Sequence, residues 1–422
     1  MEAVVAVTNE PAASGAGCRS CGAALSVSFC ELGCTPLANA MVKPQDLARG
    51  ETFYPLHAWV CDACFLVQLE EFRPPDEIFS DYLYFSSFSP SWLAHARDYA
   101  EAMIARWGLG PDSRVVEIAS NDGYLLKNFV AAGVPCLGID PARNVAAVAE
   151  AAGVPTRVAF FGAETARELR GEGVAADLMT ANNVLAHVPR LADFVEGFAI
   201  LLKPEGVVTF EFPHLLRLIE ETQFDTIYHE HFSYLSLTAL EPLFARYGLR
   251  VFDVERLTTH GGSLRLFVTH AAAGHEETPA VQRLREDEEQ AGLRDLDTYR
   301  GFQAKVARVK QGVMRFFLEA AESGKSVACY GAAAKGNTLL NYCGVTRDLV
   351  TFAVDRSPHK QGYLMPGSHI PVMAPEAIAE ARPDYIMILP WNLREEIVAQ
   401  LSDARSWGAR FVVPIPEVTV IE

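Results

Sequence analysis

Residues 228–231 read Tyr-His-Glu-His, four adjacent side chains able to accept, donate or relay protons. An imidazole titrates near neutrality, so either histidine could serve as a general base. In an extended segment, alternation puts His229 and His231 on one face and Tyr228 and Glu230 on the other. A metal site here is disfavoured, because H-E-H lacks the i,i+4 histidines of H-E-x-x-H. A structural cluster that satisfies its own hydrogen bonds is the plain alternative. The second constellation is Cys18-Arg-Ser-Cys21 and Cys61-Asp-Ala-Cys64, two C-x-x-C pairs with 39 residues between them. Spacing of three lets both sulfurs of a pair turn inward, and two such knuckles complete a tetrahedral Zn2+ site. Four thiolates leave no open position for water, so the site reads as structural. Cys30 and Cys34 stay open as ligands, and a set of reduced free thiols is the alternative to any site.

The stretch that must position a reaction is Val115–Leu126, VVEIASNDGYLL. An apolar run carrying one acid, Glu117, leads through a small polar loop (Ala119 to Gly123) into an amphipathic run (Tyr124, Leu125, Leu126). That is strand, tight turn and helix, the opening of a nucleotide-binding α/β domain. Asn121 or Asp122 can cap a helix over 123–132, and Gly123 lets the backbone approach a ligand. Asp140 ends the next strand, 17 residues after Gly123, where an acid accepts ribose hydroxyls. Pro141 then starts a helix. The G-x-G-x-x-G fingerprint is absent. A pyrophosphate needs bare backbone at this turn and a nucleoside sulfonium does not, so S-adenosylmethionine (SAM) is favoured over NAD. An ordinary βα turn is the plain alternative. Asn182 and Asn183 end the fourth strand on the same edge, with His187 just beyond. Upstream, SDYLYFSSFSPSW reads as packing, but its tyrosine and serine hydroxyls, Tyr82 among them, keep a site open, with Tyr84 and Ser87 as candidates for the donor.

The surrounding chain supplies the frame. Strands over 114–119, 135–140, 156–160, 177–184 and 206–212 alternate with helices, and two more over 249–270, around His260-Gly-Gly-Ser-Leu-Arg265, complete seven. Residues 276–322 have helical period and read as two bridging helices. A second α/β pattern opens at Lys325 with SVACYGAAAKGNTLLNYC. Gly331, Lys335 and Gly336 suggest a phosphate-facing helix start, with Asn337 beside them. Arg356, His359 and Lys360 follow the strand ending in Asp355, a cationic rim suited to an anionic nucleotide, or a solvated loop. The organisation is α/β throughout: a tail (1–16), a small zinc module (17–75), a seven-stranded Rossmann-like SAM methyltransferase domain of class I (76–275), a helical bridge (276–322) and a second Rossmann-like domain (323–422).

Composition sets the limits. The 422 residues allow two to four domains, and half are hydrophobic. A net charge of −17 argues against a nucleic-acid polymer as partner. No apolar run reaches membrane length and the first residues lack a secretory pattern. Six of the nine cysteines precede residue 65, a metal-site distribution that fits a reducing cytoplasm. The three-part arrangement permits a monomer.

The order of these motifs, from the four-cysteine module through EIASNDG, YHEHFSYLS and HGGSLR to YGAAAKGN, resembles the SAM-dependent C-methyltransferases of antibiotic deoxysugar pathways. Within them it is most similar to the dTDP-tetronitrose branch, which methylates C-3 of a dTDP-3-amino-2,3,6-trideoxy-4-keto-hexose. The resemblance runs from Cys18 nearly to the end, without departure from the motifs. It implies zinc on Cys18, Cys21, Cys61 and Cys64, and SAM on the EIASNDG turn, Asp140 and the NNVLAH segment. It places the dTDP-sugar between the central domain and the C-terminal half, and catalytic candidates at Tyr82, His187, Tyr228, Glu230 and His231. A carbon beside a ketone becomes nucleophilic only when its α-proton leaves, so a base and a partner for the enolate oxygen are required. His231 is the first candidate for the base. Glu230 could orient an imidazole or hold the amino-sugar, and Tyr228 and His187 could bond the C-4 oxygen. Zinc has no part in that chemistry. An NAD-dependent nucleotide-sugar oxidoreductase or epimerase, and a non-catalytic zinc-bearing nucleotide-sugar binding protein, are the competing readings.

Overall fold

The computed structural model describes residues 17–74, 87 and 90–421; the assignments at Tyr82 and Tyr84 fall outside them. Three sheets organise the chain. The strands are β1 (Val27–Thr35), β2 (Tyr54–Val60), β3 (Val67–Leu69), β4 (Val115–Ile118), β5 (Cys136–Asp140), β6 (Thr156–Val158), β7 (Ala176–Asn182), β8 (Leu202–Pro213), β9 (Ser233–Tyr234), β10 (Leu249–Leu257), β11 (Ser263–His270), β12 (Val327–Tyr330), β13 (Ala353–Val354), β14 (Val372–Met373), β15 (Tyr385–Ile388), β16 (Arg410–Val413) and β17 (Thr419–Ile421).

The central sheet has the order β10-β11-β8-β7-β4-β5-β6. Its strands β4 to β8 are parallel, and β11 runs antiparallel between β8 and β10. All four residues of β4 are buried, as expected for an interior parallel strand covered on both faces. The chain builds outward from β4 through β5 to β6 and returns to β7 on the other side. The switch point therefore lies between β4 and β7, where the carboxyl ends of the strands open a crevice. This is the class I SAM methyltransferase fold expected from the motif order. The C-terminal sheet, β14-β13-β12-β15-β16-β17, repeats the same half order and adds one antiparallel edge strand.

Local readings differ at several points. The helix after the donor turn covers Leu126–Ala131, not 123–132, and has no side-chain cap. Ala119, Asn121 and Gly123 take left-handed backbone there, which delays helical geometry until Leu126. Pro141 precedes the helix Arg143–Ala151 rather than opening it. The bridge holds three helices, Pro279–Gln290, Leu296–Arg300 and Phe302–Glu322, because Gly292 and Gly301 interrupt the apolar period that read as two.

The cores do not follow the sequence modules. Phe29 and Leu56 of the first sheet share one apolar cluster with Phe224, Phe302 and Phe317, and with Leu340 and Met387 of the C-terminal half. Phe29 stacks on Phe302 at 4.5 Å. The cysteine knuckles instead pack with Phe198, Phe210 and Leu240 of the central unit. The first sheet, β1-β2-β3-β9, takes its last strand from the segment that follows Tyr228–His231. No helix among the described residues is long and apolar enough to cross a membrane.

Candidate active site

The donor crevice is built by β4, β5 and β7. The Asp140 carboxylate accepts the backbone N–H of Asn121 (2.8 Å) at one oxygen and of Ala142 (2.8 Å) at the other, so one acid fixes both turns. The Asp122 carboxylate accepts the backbone N–H of Ser87 at 3.2 Å, which brings Ser87 to the same turn. Glu117 is only 1 % exposed. Burial, then the neighbouring Asp140 and Asp122, push its carboxyl well above the usual range. Glu117 Oε2, Ser120 Oγ, Asp122 Oδ1 and Asn183 Oδ1 are buried without a hydrogen-bond partner among the described residues. Positive φ at Ala119, Asn121 and Asn183 strains non-glycine backbone on both sides of the crevice. A Cβ on Gly138 would overlap the Ser120 hydroxyl, so the turn is seated directly on β5.

This donor set fits SAM. Three carboxylates and several orphaned acceptors suit a cationic molecule with an ammonium group and two ribose hydroxyls, and would repel a pyrophosphate. The other assigned residues divide. Asn182 Oδ1 accepts the hydroxyl of Thr180 at 3.1 Å. Tyr124 stacks with Trp92 at 6.0 Å. The Leu125 side chain lies in the apolar core with Phe129, leaving only its backbone for a ligand, and Pro141 is half-buried beside Asp140.

The cysteines converge as spaced. Sγ separations are 3.5 Å for Cys18–Cys64 and for Cys21–Cys61, and all four sulfurs lie within 4.8 Å of one another. A tetrahedron with Zn–S bonds of about 2.3 Å has edges of roughly 3.8 Å, so these thiols fit zinc with little adjustment. Gln68 donates its Nε2–H to Cys18 Sγ at 3.3 Å, a supporting bond of the kind that orients metal ligands. Cys30 is buried in the apolar core of the first sheet and Cys34 is exposed, so neither joins the cluster.

The Tyr-His-Glu-His segment is a turn, not a strand: the N–H of His231 bonds the carbonyl of Tyr228 at 2.8 Å. The expected alternation therefore fails. Tyr228 and His231 face each other, with the phenol 2.7 Å from His231 Nε2. His231 Nδ1 lies 2.9 Å from the Thr226 carbonyl and His187 Nδ1 lies 2.8 Å from the Glu230 carbonyl. A carbonyl can only accept, so both rings carry their proton on Nδ1 and a lone pair on Nε2. The two imidazoles meet edge-on at 4.7 Å. Burial lowers both: His187 to about 4, and His231 well below its ordinary value, with His187 adding to the effect. The Glu230 carboxylate is bound by Asn39 Nδ2 at 2.7 and 2.9 Å, so it orients no imidazole; its backbone does. His229 is turned to the Pro55 carbonyl at 3.1 Å.

The C-terminal half reaches this turn through the helix Ala334–Cys343. The Thr338 hydroxyl donates to the Ile227 carbonyl at 3.0 Å. Asn337 donates to the Ala38 carbonyl at 2.6 Å and is 1 % exposed, so it braces the loop that follows β1. Lys335 Nζ donates to Asn392 at 2.6 Å and sits 4.7 Å over the Trp391 ring, whose Nε1–H bonds the buried Asp225 at 2.7 Å. Lys360 donates to the Ala332 carbonyl at 3.0 Å. Arg356 is exposed and pairs with Glu396 at 3.4 Å, and His359 is exposed nearby.

Two features escaped the sequence reading. Glu211 on β8 faces Arg265 on β11 in register; Arg265 Nε donates to it at 2.7 Å and His95 Nε2 lies 2.9 Å away. An acid and an arginine inside otherwise apolar strands were the available signal, since a buried charge needs a partner. His260 holds φ 54° in a short turn, its ring 5.6 Å from Trp92. The glycines after it are explained by contact: a Cβ on Gly261 would lie 2.5 Å from Trp391, and one on Gly262 2.8 Å from Arg217.

Comparison with known proteins agrees with this geometry. A methyltransferase domain family matches residues 92–254, a C-methyltransferase C-terminal domain family residues 258–416, and a zinc binding domain family residues 18–79. Ubiquinone biosynthesis O-methyltransferase of Methylobacterium sp. (strain 4-46) is 32 % identical over 128 residues, 28 % of this chain and 50 % of that one. Among solved structures, magnesium protoporphyrin IX methyltransferase from Synechocystis PCC 6803 aligns at 14 % identity over 42 % of this chain and 81 % of that one, with a TM-score of 0.33. C-methyltransferase NovU of Streptomyces niveus is 40 % identical over 404 residues, 96 % of either chain. On that relationship, and with a donor crevice and a four-thiol site that suit SAM and zinc, the chain belongs to the SAM-dependent, zinc-bearing C-methyltransferase family of NovU.

Proposed function

We propose that the chain methylates C-3, next to the C-4 ketone, of a dTDP-linked (3-amino-)2,3,6-trideoxy-4-keto-hexose in antibiotic deoxysugar biosynthesis. The observation that carries this reading is the Tyr228–His231 pair, hydrogen-bonded at 2.7 Å and backed by a carbonyl at the far ring nitrogen. The phenol oxygen removes the α-proton while its own proton passes to His231 Nε2; the Thr226 carbonyl holds the opposite N–H as the ring gains charge. His231 thus keeps the role of final proton acceptor but reaches the substrate through Tyr228. His187, neutral with its lone pair on Nε2, accepts a sugar hydroxyl or ammonium hydrogen rather than donating to the C-4 oxygen. Lys335, half-buried beside the same turn, supplies charge for the enolate oxygen. Lys360, Arg356 and His359 form the cationic edge that takes the diphosphate. When bound, SAM supplies the electrophilic methyl group. Glu117, Asp122 and Asp140 hold it through its ammonium and ribose, and the crevice walls keep it in line with C-3.

The reading is tested with the dTDP-keto-sugar, S-adenosylhomocysteine and deuterated water. Exchange of the C-3 proton, and methyl transfer from labelled SAM to that carbon, are expected. Exchange or labelling at a different carbon, or transfer to oxygen, would overturn it.

A further inference from the structure

Arg19 lies between the two cysteines of the first knuckle and pairs with Glu71 at 3.9 Å, yet its guanidinium also reaches the segments that carry His187 and His231. One terminal nitrogen donates to the Pro189 carbonyl at 3.1 Å, two residues beyond His187. The other donates to the Leu69 carbonyl at 2.6 Å. The guanidinium lies 5.0 Å over the ring of Phe232, the residue after His231. Leu69 in turn donates its N–H to the Phe232 carbonyl at 3.0 Å. Arg19 is therefore tied to both segments whose imidazoles meet at 4.7 Å. Its own placement is set by the thiol cluster. Its backbone N–H bonds Gln68 Oε1 at 2.9 Å, while Gln68 Nε2 bonds Cys18 Sγ. Gln68 also pairs with Ser233 across β3 and β9. The side chain is 11 % exposed, so these bonds form away from bulk water. A planar guanidinium can bridge two carbonyls and stack on a ring at once; an ammonium cannot.

We propose that Arg19 is a positioning residue that carries the geometry of the zinc knuckle to the His187–His231 pair, making methyl transfer depend on zinc without any zinc chemistry. This rests on the methyl-transfer reading above. Cys18 and Cys21 would hold the zinc and so fix their turn, the turn aims the guanidinium, and the guanidinium sets the spacing of residues 187–189 against 231–232.

The test uses the full-length protein with Arg19→Ala and Arg19→Lys. Four quantities are read: zinc per chain by atomic absorption, S-adenosylhomocysteine affinity by calorimetry, kcat and KM with the keto-sugar, and histidine Cε1–H resonances through a pH titration. Both variants should keep one zinc per chain and bind S-adenosylhomocysteine within about threefold of wild type. A misplacement of about 1 Å should lower kcat about 100-fold with little change in KM. The His187 and His231 resonances should move while that of His270, on β11, stays fixed. Added guanidinium should restore part of the Arg19→Ala activity. Wild-type kcat in a zinc-replete variant would overturn the proposal. So would loss of zinc in both variants, or unmoved His187 and His231 resonances. The resonances need no substrate, so they judge the clamp separately: if wild type transfers no methyl to the keto-sugar, the functional reading falls and the clamp can still stand.

Discussion

Tyr228→Phe isolates one atom. The phenol oxygen is 2.7 Å from His231 Nε2, and the two rings lie 4.0 Å apart. Phenylalanine keeps the ring contact and removes the hydroxyl that makes the relay. General acid–base groups contribute roughly 10²- to 10⁴-fold, so C-3 proton exchange should fall by that factor, or about 3–5.5 kcal/mol in activation free energy. The structural cost is smaller. His231 Nε2 loses its partner in a buried setting, a penalty of about 1–3 kcal/mol against a typical total stability of 5–15 kcal/mol, so the variant should stay folded. S-adenosylhomocysteine affinity should be unchanged, because the donor turn is held by the Asp140 carboxylate and by its seat on β5. The assay is deuterium incorporation at C-3 with S-adenosylhomocysteine bound, followed by mass spectrometry, alongside label transfer from SAM. Exchange within fivefold of wild type, with S-adenosylhomocysteine binding intact, would refute the relay and return the base to an imidazole acting directly.

Three other outcomes follow from the same structure. Gly138→Ala puts a methyl into the Ser120 hydroxyl; overpacking of about 1–3 kcal/mol should displace the donor turn and weaken S-adenosylhomocysteine binding at least tenfold by calorimetry, with zinc content unchanged. Glu288 is fully buried and accepts from His214 (2.8 Å), from the Leu237 and Thr238 amides and from the Thr238 hydroxyl. Burial pushes its carboxyl up, but the bonds from His214 and Thr238 hold it below its ordinary value overall. Its stabilising effect is therefore present above the unfolded pKa of about 4.3 and lost as pH falls through the depressed folded value; Glu288→Gln should cost about 3–5 kcal/mol in urea titrations at pH 7. His187 carries the opposite charge logic: with its pKa lowered to about 4 by burial, the unfolded chain binds the extra proton between pH 6.5 and 4. Stability should decline through that window by up to about 3 kcal/mol from this residue, a slope that His187→Gln removes.

Much of this was legible because it is local. Apolar strands alternating with helical periods encode the central sheet, and a spacing of three encodes each cysteine knuckle. The acid that ends β5 was readable for the same reason, since a parallel strand delivers its last residue to the ligand edge. The shape of residues 228–231 was not. Local sequence permits an extended run, but Asn39 draws Glu230, Pro55 draws His229, and Thr338 ties down Ile227, all partners more than 100 residues away in sequence. The Glu211–Arg265 pair was hidden differently, since only the register of β8 on β11 makes two unrelated charges neighbours.

That distribution bears on how the reaction could be organised. The donor turn is held almost wholly within its own unit, by Asp140, β5 and Gly138. The Tyr228–His231 turn is held from elsewhere: the first sheet and its following loop through Pro55 and Asn39, the C-terminal helix through Thr338, and the knuckle through Arg19 over the adjoining Phe232. Proton abstraction tolerates little displacement, because transfer requires heavy atoms within about 2.6–3.2 Å, whereas donor binding spreads over many contacts. On the proposed mechanism a cofactor fold used for many chemistries can thus stay unchanged, while the added modules fix one four-residue turn from three sides and so would supply what carbon methylation needs beyond methyl-donor binding.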